Sequence, residues 1–306
     1  MNKLEWLFSI INFPLSYILN FFASLLGNNF AAAVFVFTLF INLAMIPLSI
    51  KSQKSSVGQM RIKPKLDELK KKYGDDKQRY SMEMQKLYQE ENISMSGGCL
   101  PLLIRMPFLL AIYYLITQPL TQLFRFPGDM VKGWMEELGT KYEIAVVEKI
   151  ADGTLKGVPA EVAEKVTTLD FSFLGIDLTG TPKFNINIFE YFNELWLIPL
   201  MAFAAQMLTS VLSMRMQKRI NPDAPNMAGM MLTMPLISLF IGFTVPAAVG
   251  FYWVCSSLIS GGIQLLVQYF YGPHKMLAKE RANDIVKVYE AEQKYISNRV
   301  KKDADE

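Results

Sequence analysis

The sequence predicts an all-α integral membrane protein with a five-helix transmembrane core, a cytoplasmic helical hairpin and an N-terminal amphipathic helix at the membrane surface. Three observations carry that prediction. Hydrophobic residues make up 51% of the 306, with 21 Phe and 18 Met, which is more apolar than a soluble domain of this length. Five apolar stretches, near residues 30–50, 99–118, 192–214, 227–244 and 247–271, have the length a helix needs to cross a hydrocarbon core of about 30 Å. The segments between them differ in charge: 51–98 holds eleven Lys/Arg against seven Asp/Glu and 215–226 three against one, whereas 119–190 holds seven against eleven. By the positive-inside rule the first two and the tail after 272 are cytoplasmic, 119–190 is outside, the N-terminus is outside and the C-terminus inside.

The organisation that follows is a surface helix at 1–29, two core spans at 30–118 enclosing the hairpin at 51–98, an outer segment at 119–190, three core spans at 191–272 and a charged tail at 273–306. In the first of these, Glu5, Ser9, Asn12, Ser16, Asn20 and Ser24 are spaced 4, 3, 4, 4 and 4 and draw one polar stripe along a helix. That stripe reads as a helix lying on the membrane; a sixth span or a cleaved signal peptide are the other readings. In the cytoplasmic segment, "YGDD" separates two charged helices, with Leu66, Leu69 and Tyr73 set to meet Met82, Met84, Leu87 and Tyr88. Its basic residues Lys70, Lys71, Lys72 and Arg79 fit either a solvated connector or a docking arm. The outer segment is long for a loop, which marks a functional loop or a small subdomain. The last two spans are joined only by "TVPAAVG", a tight turn marked by Pro246. The tail alternates charge at helical spacing and ends in a stretch that reads as mobile.

Several function classes are disfavoured. Cys99 and Cys255 both fall in apolar stretches, where they read as small buried hydrophobes and not as a disulfide or metal framework. The single histidine, His274, lies in the charged tail, and the chain has no HExxH, no paired membrane aspartates and no Ser/His pair. The expectation is a protein that is not an enzyme and carries no metal or cofactor.

One residue stands against its surroundings. In "GGCLPLLIRMPFLL" Arg105 sits within an apolar run without a neighbouring acid. A guanidinium at membrane depth costs several kcal/mol, so it usually faces a wet cavity. Snorkelling to the headgroups is one alternative; pairing with Glu194 is another, at poor reach. Thr38 and Asn42 are four apart on the preceding span and share a face. At a rise of about 1.5 Å per residue, Asn42 lies roughly 12 Å and Arg105 roughly 9 Å above the cytoplasmic boundary, nearly one level. Gln206 and Thr209, then Tyr252 and Ser256, then Gln264 complete a possible polar lining, although each alone is more often helix-to-helix glue. Eight methionines between 201 and 234 suit either gap filling or binding of varied apolar partners.

With "FPLSYILNFFASLLGNNFAAAVFVFTLFINLAMIPLSIKSQKS", "KPKLDELKKKYGDDKQR", "GGCLPLLIRMP" and "MLTMPLISLFIGFTVPAAVGFYWVCSSLISGGIQ", the chain resembles the YidC/Oxa/Alb family of membrane protein insertases. "LDFSFLGIDLTGTP" is similar to the outer loop of its Gram-positive members. The resemblance implies five core helices around a hydrophilic groove that opens to the cytoplasm and lipid and is closed outside. It implies insertion and folding of membrane proteins, alone or beside the Sec translocon, with nascent membrane proteins as clients, the ribosome and anionic lipids as further partners, and no DNA. A small-solute transporter or channel is the alternative, and a purely structural chaperone lies close by. Relatives usually carry an arginine where this chain has Asn42 and an uncharged residue, commonly glutamine, where it has Arg105, so the two appear exchanged. Thr38 and Tyr252 match groove-lining positions.

Overall fold

The structure, a computed structural model, describes residues 3–93, 100–184, 193–220 and 228–305. Its helices are α1 (Lys3–Leu25), α2 (Phe30–Ala44), α3 (Ile46–Tyr73), α4 (Lys77–Glu90), α5 (Leu100–Thr117), α6 (Pro119–Gln122), α7 (Gly128–Leu138), α8 (Glu143–Ala151), α9 (Ala160–Thr167), α10 (Leu197–Ile220), α11 (Ala228–Gly242), α12 (Ala247–Tyr271) and α13 (Pro273–Asp305). A small hairpin, β1 (Ser172–Phe173) antiparallel to β2 (Ile176–Asp177), follows α9. The chain divides into two compact units, Met1–Met45 with Leu102–Ile263 and Ile46–Pro101 with Gln264–Glu306.

All five apolar stretches are helical over their described residues. Glu194–Met216 and the helix that begins at Ala247 are each long and apolar enough to cross a membrane, and Phe30–Ala44 with Ile46–Lys54 make a third if counted as one broken span. The apolar parts of α5 and α11 are shorter, Pro107–Thr117 and Met231–Gly242. Among the described residues two helices, or three with the broken pair, are thus long and apolar enough to span, against the five expected; residues 94–99 and 221–227 lie outside the described residues. The break between α2 and α3 falls two residues before Pro47, whose missing N–H cannot bond the carbonyl of Leu43.

In the first unit the middle of the polar stripe of α1 faces protein. Asn12 and Ser16 are buried, whereas Phe13, Tyr17 and Phe21 are exposed, as is Ser24 at the end of the stripe. Asn20 Nδ2 donates to the Leu123 carbonyl at 3.1 Å, Asn12 Nδ2 to Gln122 Oε1 at 3.4 Å, and Arg125 Nη2 to Ser16 Oγ at 3.1 Å. Helical spacing defines the stripe but cannot say what it faces; in an apolar solvent polar groups turn inward to find partners and apolar ones turn out.

Helices α10, α11 and α12 pack through glycines. A Cβ on Gly242 would lie 2.9 Å from Pro199 Cβ, one on Gly250 2.7 Å from Ile198 Cγ2 and one on Gly261 2.5 Å from Thr209 Cγ2. With Gln206 against Ser238, these pairs run α11 antiparallel and α12 parallel to α10. Missing side chains let helix backbones approach closely, the usual device where no hydrophobic effect drives helices together.

Residues 119–180 form a packed helical subdomain and not an open loop. Leu120, Val131, Ile144, Val147, Ile150 and Val166 are buried in one core that continues into the membrane helices. Segment 170–180 then closes over two helix starts. Phe30 N donates to the Asp170 carbonyl (2.8 Å), while Ala247 N and Ala248 N donate to the Gly180 and Leu178 carbonyls (2.8 and 2.9 Å). These bonds satisfy first-turn N–H groups that no helix can satisfy by itself. Phe171 packs on Phe30 and Phe173 on Phe251, each with ring centroids 4.6 Å apart. The β1–β2 turn has positive φ at both central residues, Leu174 (50°) and Gly175 (85°), as a two-residue hairpin loop of this hand requires.

Glu143, the first residue of α8, is buried and accepts from Thr121 N (2.8 Å) and Thr121 Oγ1 (2.7 Å). Burial raises its pKa above the usual 4.5, and the two Thr121 hydrogen bonds pull the other way without prevailing. A carboxyl whose folded pKa is raised adds stability below its unfolded pKa and loses that contribution as pH rises through the folded value. Wild-type stability relative to Glu143→Gln should therefore fall as pH rises above the ordinary carboxylate range, measured by denaturation of the detergent-solubilised chain at each pH.

The second unit holds the hairpin of α3 and α4. Asp76 caps α4 by accepting from Arg79 N at 3.0 Å. Leu87 is buried in the seam, with Leu66, Leu69, Tyr73, Met84 and Tyr88 half-buried, but Met82 is exposed and does not belong to it. The first part of α13 packs on α3, where Arg61 pairs with Glu280 at 3.3 Å and with Glu91 at 3.6 Å. The tail is thus helical over Pro273–Asp305.

Candidate functional site

In the first unit, three of the apolar helices meet around a crevice. Thr38, Ile41 and Asn42 of α2 line it with Phe108 and Ile112 of α5 and with Tyr252 and Ser256 of α12. Four of the sequence-predicted residues, Thr38, Asn42, Tyr252 and Ser256, are therefore brought together. Each pair is four apart on its own helix, and that register is what turns both members to one side.

The local bonding follows from the same spacing. Thr38 is buried and its Oγ1 donates to the Val34 carbonyl at 2.6 Å; Asn42 Nδ2 donates to the Thr38 carbonyl at 2.9 Å. Both donors are satisfied within α2, so two polar side chains are held at membrane depth without the cost of an unmade hydrogen bond. Tyr252 and Cys255 are buried on α12. The cavity measures about 50 Å³, room for little more than a water molecule. A groove wide enough for a polypeptide is not open at this place; the walls must separate to admit one.

Arg105 lies on α5, and its side chain lies outside the described residues. Its position is informative nonetheless. It stands three, four and seven residues before Phe108, Leu109 and Ile112, all of which line the crevice. Those apolar lining residues were missed by a search for polar side chains, and the same spacing counted from Arg105 would have found them.

Gln206 is not in the lining. Its Oε1 accepts from Ser238 Oγ at 2.7 Å, joining α10 to α11. Thr209 Oγ1 is bonded to its own helix, at the carbonyls of Ala205 (3.1 Å) and Gln206 (3.0 Å).

The hairpin residues form a second cluster, within the other unit. Lys70, Lys71 and Lys72 make the exposed last turn of α3. Lys72 Nζ and the Arg79 guanidinium lie 5.1 and 5.0 Å from the centroid of the Tyr73 ring. A tyrosine flanked by two cations keeps the tip basic and shaped. Among the described residues no group of acidic, histidine or cysteine side chains is arranged to hold a metal.

Comparison with known proteins agrees with the sequence motifs. A membrane protein insertase, YidC 2, of Listeria innocua is 30% identical over 261 residues, covering 84% of this chain and 70% of that protein. The membrane protein insertase YidC of Cellvibrio japonicus is 41% identical over 133 residues, 44% of this chain and 23% of its own length. That of Rickettsia felis is 26% identical over 266 residues, covering 86% of this chain and 39% of the relative. The family model described as 60Kd inner membrane protein matches residues 21–274, which include every residue of the crevice and of the hairpin cluster. With its long apolar helices, the chain is a bacterial membrane protein, and it belongs to the YidC/Oxa family.

Proposed function

We propose that the chain is a membrane protein insertase that works without covalent chemistry, and that its clients enter between α2, α5 and α12 from the cytoplasmic side. The observation that carries this reading is the convergence of Thr38, Asn42, Tyr252 and Ser256 on one crevice, with position 105 in register on the third wall. Polar side chains inside an apolar helix bundle give a crossing segment groups to bond where lipid offers none, and so lower the barrier for its polar residues. The cation at position 105 attracts acidic residues of the client, while its apolar face meets lipid and the methionines of α10 and α11.

Two further features support directionality. The outer ends of α2 and α12 are stitched to segment 170–180 by backbone hydrogen bonds and paired aromatic rings, which favours a bundle closed on that side. The basic hairpin tip and the charge of 51–98 favour a cytoplasmic location, where Lys70, Lys71, Lys72 and Arg79 meet ribosomal RNA or anionic headgroups by charge. In this reading five helices span the membrane, the N-terminus is outside and the C-terminus inside. Work alone and work beside the Sec translocon are both compatible with it.

The test is reconstitution. The purified chain in liposomes, supplied with a short membrane protein that bears an acidic residue in its translocated part, should yield several-fold more protease-protected client than protein-free liposomes. Equal protection in both would overturn the reading.

A further inference from the structure

A large cavity lies within the second unit. It has a volume of about 870 Å³, within the range of ligand-binding clefts, and is walled by α3, the end of α12, the start of α13 and the residues that follow α4. Two kinds of surface meet in it. Ile50, Val57, Ile93, Phe270, Tyr271 and Met276 form an apolar wall. Lys54, Lys275 and Lys279 form a cationic one.

The charge is not cancelled from within. The remaining cation of the lining, Arg61, is held by Glu280 at 3.3 Å and Glu91 at 3.6 Å, which uses the one carboxylate that lines the cavity. Among the described residues neither Lys54, Lys275 nor Lys279 forms an ion pair. Lys275 Nζ donates one hydrogen bond to the Tyr269 carbonyl (2.6 Å) and sits 4.6 Å from the centre of that residue's ring, which fixes the ammonium in place and leaves two of its three donors.

The order of residues along the chain sets the level of the cavity. Ile50 closes the first apolar stretch and Lys54 follows one helical turn later; Tyr271 closes the last apolar helix and Lys275 follows one turn later. Tyr269, Phe270 and Tyr271 are exposed, an aromatic girdle of the kind that sits among headgroups. Ile50, Phe270 and Tyr271 thus come before the cations, in the order in which a phospholipid presents its acyl chains and its phosphate, while Val57 and Met276 lie beyond the first of them.

We propose that this cavity binds an anionic glycerophospholipid, its phosphate on Lys54, Lys275 and Lys279 and its glycerol end and upper acyl chain against Ile50, Phe270 and Tyr271. Basic pockets at the cytoplasmic ends of membrane helices recognise such headgroups by charge. The proposal rests on the apolar helices being embedded in a membrane and not on the insertase activity. The cavity would hold a lipid between the hairpin and the tail helix of this unit and so tie their packing to membrane composition.

The full chain, purified in mild detergent with equal phosphatidylglycerol and phosphatidylcholine, is analysed by native mass spectrometry. Wild type should retain about one phosphatidylglycerol preferentially, and the triple variant Lys54→Gln, Lys275→Gln, Lys279→Gln should lose that preference, with affinity reduced at least about tenfold. Removing equal charge elsewhere, in Lys132→Gln, Lys156→Gln, Lys287→Gln, should leave it, and circular dichroism of each variant checks that the helices persist. Inorganic phosphate at millimolar concentration should not displace the lipid, because it lacks the contacts with the apolar wall. Equal retention of the two lipids, an unchanged triple variant, displacement by inorganic phosphate or displacement by a soluble acidic client peptide would each overturn the assignment.

Discussion

Arg105→Glu is expected to bring insertion of an acidic client down to the level of protein-free liposomes, and Arg105→Ala to reduce it about tenfold, equivalent to losing roughly 1.4 kcal/mol of attraction. The charge reversal is the larger effect because it substitutes repulsion for attraction in a setting where water screens little. The informative variant is the exchange. Asn42 lines the crevice on α2; in the proposed reading position 105 lies on the third wall, so Asn42→Arg with Arg105→Gln moves the cation across the crevice without removing it. That double variant should recover at least half of the wild-type insertion. Full activity of Arg105→Ala and Arg105→Glu, or a dead but well-expressed exchange, would remove the cation from the mechanism.

The second large effect is one of packing, and two neighbouring glycines separate it from helix propensity. A Cβ on Gly261 would lie 2.5 Å from Thr209 Cγ2, whereas one on Gly262 meets nothing within 4 Å. Thr209 cannot easily turn away, because its hydroxyl is bonded to the Ala205 and Gln206 carbonyls of α10. Gly261→Ala should therefore cost about 1–3 kcal/mol and lower the unfolding temperature in detergent. Gly262→Ala should be neutral or stabilise by up to about 1 kcal/mol, since alanine is the better helix former. Equal effects of the two substitutions would mean that α10 and α12 do not approach at this point.

Much of this architecture was legible because apolar length and charge are additive along a sequence. The apolar stretches became helices with nearly the expected bounds, and the "YGDD" turn and its two helices lie where the charge pattern put them. The polar pairs Thr38–Asn42 and Tyr252–Ser256 converge because i,i+4 spacing fixes a helix face whatever the rest of the fold does. What spacing cannot supply is the partner. The stripe of α1 was visible, but its burial depends on Gln122, Leu123 and Arg125, about a hundred residues away. Gln206 looked like a lining residue until Ser238 took its side chain. The outer segment gave no signal of its packed core, since its helices are short and their apolar faces are completed only by neighbours from other parts of the chain. The tail alternates charge at helical spacing, but that spacing could not show that Arg61 and Glu280 tie its first turns to α3.

The central claim is that clients contact the crevice and not merely the lipid-facing surface of the same helices. A photo-crosslinking residue at position 42 or 256 faces the crevice, whereas one at Phe40 or Leu43 projects from the exposed side of α2. With a ribosome-stalled client whose membrane segment is partly inserted, crosslinks from 42 and 256 should exceed those from 40 and 43 several-fold. Equal yields at all four positions, or crosslinks confined to 40 and 43, would contradict entry between α2, α5 and α12.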